Sequence, residues 1–564
     1  MTTWSKRMTN DPDPANVEES CFQTVPNTPT QAIESKEGEE WSKAIESEIL
    51  AHQKNGTFQV VSTPHGERTI GSRFVFVKKF NDKGELVKYK ARWVAQGFSQ
   101  QPGVHFSETF APTLNMTVFR MLLTIAVEKG LDLVQLDVHT AFLIPELPKK
   151  EQIYMRVPPN SLKILQSCGL KIEDGQSLLL KKCIYGLRQA SKYWNNKLVN
   201  ILVTKLGTQV PSEPCLFKKK TKVGPVFIII WVDDLLIAGK RTALSVVVGT
   251  LKRLLPMKDL GFPSIFTGVR IRKIEDGLFL DQALFTQQAL RSFNMQDAKS
   301  QDTPASSLRL QAEGSIPLEE NVPYRSAVGS LLWLALNTRP DIAFAVSQVA
   351  KFSHAPTQAH WTAVKKIFRY LNGTVDLGIP ITKMVDELTL TGYSDADWAG
   401  EPEKRRSTGG FLFKLGSTPI SWKCVVHKSI CLSSVESEII FLSKACQEVK
   451  WLARICNEFN LKISLPVIYC DNQGALALAK NDGVSQRTKH IEIRDLFAKE
   501  AVKTGLVDVK YLKTEDMPAD IFTKPLAKVK FLRLRPLLGL KYNRGGVLQQ
   551  YMSQRLFTHG FDFG

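Results

Sequence analysis

Hydrophobic positions along the 564-residue chain fall into blocks whose periodicity changes from one to the next. Trp41, Ile45 and Ile49 recur every four residues and predict a helix at the start of the first folded block. Arg73–Lys79 alternates, with Phe74, Phe76 and Lys78 on one side and Val75 and Val77 on the other, which predicts a strand. Between 131 and 240 come LDLVQLDVHTAF, a helical stretch around Tyr193–Leu206, and VFIIIWVDDLLIAG. In that last segment the apolar run Val226–Val232 meets Asp233-Asp234, and Leu235–Ala238 follows. Two buried strands with two carboxylates at their turn are expected. Residues 295–385 read as mainly helical, and a second α/β block spans 386–526. There TLTGYSDADW places Asp395 late in a strand, and SSVESEIIFLSKACQEVKWL sets Ile439, Leu442, Cys446 and Val449 on one helix face with Glu436 a turn before them. PVIYCDNQGALALA passes from strand to helix at Asp471, and Pro518-Ala-Asp520 opens a further helix. The tail after Leu540 shows no periodicity.

Composition adds a direction. The chain has 74 Lys and Arg against 55 Asp and Glu, a net charge of +19, and 43% hydrophobic residues. That is globular, multidomain composition, and a basic excess of this size fits a polyanionic partner such as nucleic acid. A solvated basic surface is the plainer alternative. Residues 1–40 hold eight acidic and three basic residues and read as an acidic, disordered lead, so 41–564 carries +24. The longest apolar runs fall well below the ~20 residues of a membrane span, and no membrane partner is expected. Nine Cys form no CxxC pair, which favours a reducing compartment and argues against structural zinc. Gly239-Lys240 lacks the upstream Gly of a phosphate loop.

The carboxylates carry the candidate chemistry. Adjacent Asp233 and Asp234, flanked by apolar runs, raise each other's pKa unless a cation compensates, and a divalent metal held by oxygen ligands is the usual compensation. A solvated turn is the structural alternative. Asp137, at the end of another apolar run, is either a third ligand or a helix cap; three such carboxylates suit two-metal phosphoryl transfer. In the second block Asp395, Glu436, Asp471 and Asp520 follow the same logic, although Asp471 and Asp520 taken singly read as helix N-caps.

LDVHTAF, YGLRQA at 185–190, WVDD at 231–234 and MKDLG at 257–261 resemble the reverse transcriptase of copia-type LTR retrotransposon Pol polyproteins. Trp41-Ser-Lys-Ala-Ile-Glu-Ser-Glu, Asn55-Gly-Thr-Phe, Tyr89-Lys-Ala-Arg-Trp-Val-Ala-Gln-Gly-Phe-Ser-Gln and Glu108-Thr-Phe-Ala-Pro match that family in the same order. The resemblance covers roughly 41–540. It implies an α+β polymerase with palm, fingers and thumb, in which Asp137, Asp233 and Asp234 hold two Mg²⁺ ions, with Mn²⁺ as a substitute. It further implies that Phe142 is a steric gate selecting dNTPs, that Lys90 and Arg92 hold the triphosphate, that Gln189 lies beside the incoming nucleotide, and that Lys258 protonates the leaving pyrophosphate. The family's usual Tyr before Val-Asp-Asp is Trp231 here, which keeps an aromatic surface and removes the hydroxyl.

SDADWAG, LSSVESE, CDNQGALALA, RTKHI and ADIFTKPL resemble the RNase H domain of the same polyproteins. Asp395, Glu436, Asp471 and Asp520 then match the four acidic residues that hold two metals. His490 matches a position open between a general-base or product-release role and a structural one. Tyr324-Arg-Ser-Ala-Val-Gly-Ser-Leu-Leu-Trp333 and Thr338-Arg-Pro-Asp-Ile match the connection region.

The reading is therefore an RNA-directed DNA polymerase, also DNA-templated, with ribonuclease H activity, acting on RNA template, DNA primer, RNA–DNA hybrid and dNTPs. The opposing reading is a decayed or host-retained remnant that binds nucleic acid without catalysis; the presence of all seven carboxylates favours the enzyme. The expected layout is a lead over 1–40, reverse transcriptase over 41–285, thumb and connection over 286–385, an α/β RNase H-like domain over 386–526 and a tail over 527–564. The family context implies cytoplasmic virus-like particles and the nucleus. With neither a protease Asp-Ser/Thr-Gly motif nor an integrase zinc pattern, the chain is expected to be the C-terminal part of a larger polyprotein.

Overall fold

The computed structural model describes residues 25–80, 85–305, 310–311, 316–384, 387–401, 403–481 and 497–543. Contacts divide the chain into two compact units, 1–114 with 132–263 and 115–131 with 264–564. This division cuts across the expected layout: a 17-residue stretch from the middle of the polymerase block, and everything after 263, belong to the second unit. The lead departs from expectation as well. Residues Pro29–Glu34 form a short helix capped by Thr28, and α1 (Gly38–Asn55) begins inside the lead. Trp41, Ile45 and Ile49 are the buried stripe of α1, as their spacing requires.

In the first unit β1 (Ser72–Phe80) and β2 (Leu86–Ala95) form an antiparallel hairpin, against which α1 sets Trp41 edge-on to Phe76 and Tyr89. The chain leaves through α2 (Met116–Lys129), a helix buried almost all round and assigned to the second unit, and returns as β3 (Asp132–Val138). Then follow α3 (Ala190–Lys205), β4 (Thr208–Val210), β5 (Glu213–Thr221), β6 (Gly224–Trp231), β7 (Asp234–Gly239), α4 (Arg241–Leu254) and β8 (Met257–Gly261). The six strands make one antiparallel sheet in the order β8-β3-β7-β6-β5-β4. Its centre is apolar because β6 and β7 are continuous runs of buried, mainly aliphatic residues, and α4, whose Val247 and Leu251 are buried, packs on four of its strands.

After α2, the second unit continues with the hairpin β9 (Val269–Ile274) and β10 (Gly277–Asp281). Its helices are α5 (Tyr324–Asn337), α6 (Ala343–Ala350) and α7 (Gln358–Asn372), and the predicted helical stretch ends in a strand, β11 (Leu377–Thr382), that pairs with β10. Arg339 and Asp341 form a fully buried ion pair, and Asp341 also accepts from the Tyr370 hydroxyl at 2.5 Å. This network ties α7 to the turn after α5. Next come β12 (Leu390–Asp397), β13 (Thr408–Leu415), β14 (Thr418–Val426), α8 (Ser434–Glu458), β15 (Val467–Cys470), α9 (Gln473–Lys480) and β16 (Asp508–Tyr511). They build a mixed sheet in the order β14-β13-β12-β15-β16, antiparallel across its first three strands and parallel from β12 to β16, with α8 packed on β12 and β13. In the tail, Lys541 and Tyr542 pair with β11. No helix among the described residues is long and apolar enough to cross a membrane.

Candidate active sites

The central strands of the first unit bring Asp137 and Asp234 together. Antiparallel register sets Asp137 opposite Asp234 on one side and opposite Lys258 on the other, and sets Asp234 opposite Trp231. Directly opposed residues share a sheet face with Cβ atoms about 5 Å apart. Lys258, Asp137, Asp234 and Trp231 therefore make one row across β8, β3, β7 and β6. The sheet thus gathers its charge at one end of a face whose centre carries the buried Leu236, Ile229 and Phe227.

Between Trp231 and Asp234 only Val232 and Asp233 remain as hairpin loop. Val232 has φ +54°, at the position where II′ hairpins place glycine. The tip is held twice: Val138 N donates to the Asp233 carbonyl at 3.0 Å, and Trp194 Nε1 donates to the Val232 carbonyl at 2.6 Å. Gln135, two residues before Asp137 and so on its face, donates from Nε2 to Asp234 Oδ1 at 3.1 Å.

Crowding and burial raise both tip carboxyls. Burial lifts Asp234 to about 7, and the charges of Asp233 and Asp137 add to it, against the Gln135 hydrogen bond. Asp233 rises for the same first reason and through Asp137, while Lys90 and Arg92 pull it down. Those two cations, two residues apart on β2, thus lie close enough to Asp233 for their charge to count. The Arg92 guanidinium sits 5.3 Å from the centre of the Tyr185 ring, and Phe142, in the short turn after β3, meets that ring edge-on at 5.0 Å.

The second cluster lies on the mixed sheet. Asp395 is on β12, and its parallel neighbour β15 ends at Cys470 with Asp471 just beyond. Helix α8 supplies Glu438, whose carboxylate, together with Cys470 Sγ and an Asp471 oxygen, forms a set lying within 4.8 Å of one another. Burial raises Glu438, with the charges of Asp395 and Asp471 next in order, and it raises Asp395 to about 7, with Asp520 and Asp471 adding and Lys524 opposing. Thr523 Oγ1 donates to Asp395 Oδ2 at 2.5 Å, and Thr514 Oγ1 donates to Asp471 Oδ2 at 2.7 Å. Asp520 is fully enclosed, in a 3₁₀ turn over Pro518–Phe522 in place of the expected helix, and is paired with Lys524 at 2.6 Å and with Lys530. Lys524 also reaches Asp395 Oδ2 at 3.7 Å.

Glu436 is placed differently from the sequence expectation. Ser433 caps α8 by accepting from Glu436 N at 3.1 Å, and the Glu436 carboxylate reaches back to Leu432 N at 2.5 Å. The pair is a variant of the Ser-x-x-Glu capping box. Glu438, two residues on, is the α8 carboxylate that meets Asp395 and Asp471.

Residues 55–307 match the reverse transcriptase (RNA-dependent DNA polymerase) family. The Retrovirus-related Pol polyprotein from transposon RE2 of Arabidopsis thaliana is 36% identical over 528 residues, 92% of this chain and 36% of its own length. A transposon Ty5-1 protein of Saccharomyces cerevisiae is 30% identical over 321 residues, 56% of this chain and 100% of its own. The chain belongs to the copia-type, retrovirus-related Pol polyproteins. It spans little more than a third of the RE2 polyprotein. Among solved structures, the foamy viral protease-reverse transcriptase dRH in complex with ds DNA is 13% identical, with a TM-score of 0.47 over 84% of this chain and 69% of its own.

Within this Pol chain the expected polymerase residues divide into two groups. Asp137, Asp233, Asp234, Lys90, Arg92 and Lys258 gather by register or by charge. Gln189 does not reach the row: it is wholly buried at the start of α3, donates to the His105 carbonyl and Glu151 Oε2, and accepts from Gln100 Nε2. Phe142 is 4% exposed. His490 lies outside the described residues. Sequence pattern does not single out Tyr185, Trp194, Glu438, Cys470, Thr523, Lys524 or Lys530. For Glu438 the capping box was the available signal, since assigning Glu436 to the cap leaves Glu438 as the next buried carboxylate.

Proposed function

We propose that this Pol chain is an RNA-directed DNA polymerase, also able to copy DNA, whose first unit holds the polymerase site and whose second unit holds a ribonuclease H site. The observation that carries the reading is the in-register pairing of Asp137 with Asp234, with Asp233 at the intervening tip, inside the region that matches the reverse transcriptase family. On this reading the antiparallel sheet is the palm, the β1–β2 hairpin belongs to the fingers, and the helices before β11 belong to the thumb and connection.

The donor set fits a hard divalent cation. Three carboxylates whose mutual repulsion and burial drive two of them upward are stable as anions only beside positive charge, and all three offer oxygen. Asp137, Asp233 and Asp234 would hold Mg²⁺, with Mn²⁺ as substitute, and Asp395, Glu438 and Asp471 would hold it in the second unit. When bound, the ions supply a polarised 3′-hydroxyl or water and neutralise charge on the phosphate being displaced.

The remaining steps belong to side chains. Lys90 and Arg92 offer fixed positive charge beside Asp233 for a dNTP triphosphate. Lys258, exposed and directly across from Asp137, carries a proton on Nζ within the same row and can deliver it to the departing pyrophosphate. Phe142, braced by Tyr185 after β3, would be the wall that excludes a ribose 2′-hydroxyl. In the second unit Thr523 and Lys524 fix the orientation of Asp395, and Thr514 fixes that of Asp471.

The basic excess supplies grip on the phosphates of template, primer and hybrid without reading sequence. The test is extension of a labelled DNA primer on an RNA template by the purified chain at low salt with Mg²⁺. Extension that chelation abolishes supports the reading, and no extension under those conditions refutes it.

A further inference from the structure

We propose that Trp194 is a positioning residue for Asp233: its indole N–H holds the Val232 carbonyl and so keeps the hairpin tip in the conformation that sets Asp233 beside Asp137. The inference rests on the polymerase reading above.

Val232 has φ +54°, and a β-branched residue in the left-handed region is a genuine outlier. Such a conformation persists only where the surroundings over-determine it. The tip has two restraints of that kind, one on each loop carbonyl. Val138 N fixes the Asp233 carbonyl to the end of β3 at 3.0 Å, and Trp194 Nε1 fixes the Val232 carbonyl at 2.6 Å.

The second restraint comes from a rigid support. Trp194 is 1% exposed and lies on the buried stripe of α3 with Leu198 and Leu202, at spacings of four and eight residues. A buried indole N–H without an acceptor is costly, so the bond resists opening. The Val232 carbonyl belongs to the peptide unit that leads directly into Asp233. Relaxation of φ at Val232 would swing that unit, and with it the Asp233 side chain, away from Asp137, whose charge it now feels.

A buried Trp that merely fills the core would give a different result in two substitutions. Trp194→Phe keeps the ring and removes the donor, whereas Val232→Gly makes the tip conformation accessible without a clamp. In the full chain, Trp194→Phe should lower kcat for nucleotide addition roughly 100-fold, the scale of an ångström-sized misplacement. KM for dNTP and affinity for primer–template should stay within about twofold. Hydrogen exchange across residues 224–239 should quicken, and Trp194→Phe with Val232→Gly should recover most of both losses. An unchanged kcat in Trp194→Phe, or a loss that Val232→Gly does not recover, overturns the proposal. If the unmutated chain does not extend primers, the polymerase reading itself fails. Exchange at 224–239 then decides the clamp alone: quickened by Trp194→Phe and restored in the double variant supports it, and no change overturns it.

Discussion

Asp137 and Asp234 stand directly opposite one another on neighbouring strands, with Lys258 opposite Asp137 on its other side. In the absence of a cation, this pairing costs stability, because burial and like charge lift Asp234 to about 7. Asp234→Asn should therefore raise the metal-free melting temperature by a few degrees, about 1 kcal/mol once solvent screening of the half-buried tip is allowed for. The same change should reduce primer extension roughly 1000-fold, since a metal ligand supplies several kcal/mol of transition-state stabilisation. Thermal melts and single-turnover extension measure the two effects.

The direction of the pH dependence follows from Asp234 and Asp395, each raised to about 7 in the fold. A raised carboxyl favours the folded state while protonated. That contribution is complete below the unfolded value near about pH 4 and is lost as pH rises through about 7. Metal-free protein should thus lose stability across that window, and a bound divalent cation should restore it by displacing the protons. The rise in melting temperature on adding Mg²⁺ should be larger at about pH 8 than at about pH 6. Equal shifts at the two pH values would contradict the assignment.

Glu436 and Glu438 should separate cleanly. Glu438→Gln should abolish RNA cleavage with no loss of stability, because it removes a buried charge among charges. Glu436→Gln should leave cleavage within severalfold and weaken the helix cap, which typically contributes ~1 kcal/mol. Hybrid cleavage and denaturant unfolding of both variants check this pair of outcomes.

Much of the candidate chemistry was legible because apolar runs frame it. Val226–Ile230 and Leu235–Ala238 are buried strands, so Asp233 and Asp234 could only fall at their junction. The choice between Glu436 and Glu438 was not legible from spacing, since residues 436 to 443 are all buried and an apolar stripe cannot rank positions on a helix enclosed all round. Nor was the partnership of Lys258 with Asp137. That depends on the register of β8, which shifts between Asp259 and Gly261, and register is set by tertiary pairing. The assignment of α2 to the second unit is likewise non-local: Arg120 lies 4.0 Å over the Trp422 ring and donates to the Ile420 carbonyl, 300 residues away in sequence.

Lys524 links Asp395 and Asp520 in the second unit. Lys524→Met should remove the cation from two buried carboxylates and destabilise the protein by about 2 kcal/mol, less than a fully buried pair would cost because Lys524 is partly exposed. Added Mg²⁺ should recover part of that loss. Denaturant midpoints with and without Mg²⁺ measure it, and a variant as stable as the parent would show that Lys530 alone compensates Asp520.

On the proposed reading one chain carries two separate metal-dependent sites. A labelled DNA primer annealed to a differently labelled RNA template reports extension and RNA cleavage in a single reaction. Asp233→Asn should abolish extension and leave cleavage largely intact, and Asp471→Asn should do the reverse. Loss of both activities in either variant, or of neither, would contradict the assignment of two independent sites.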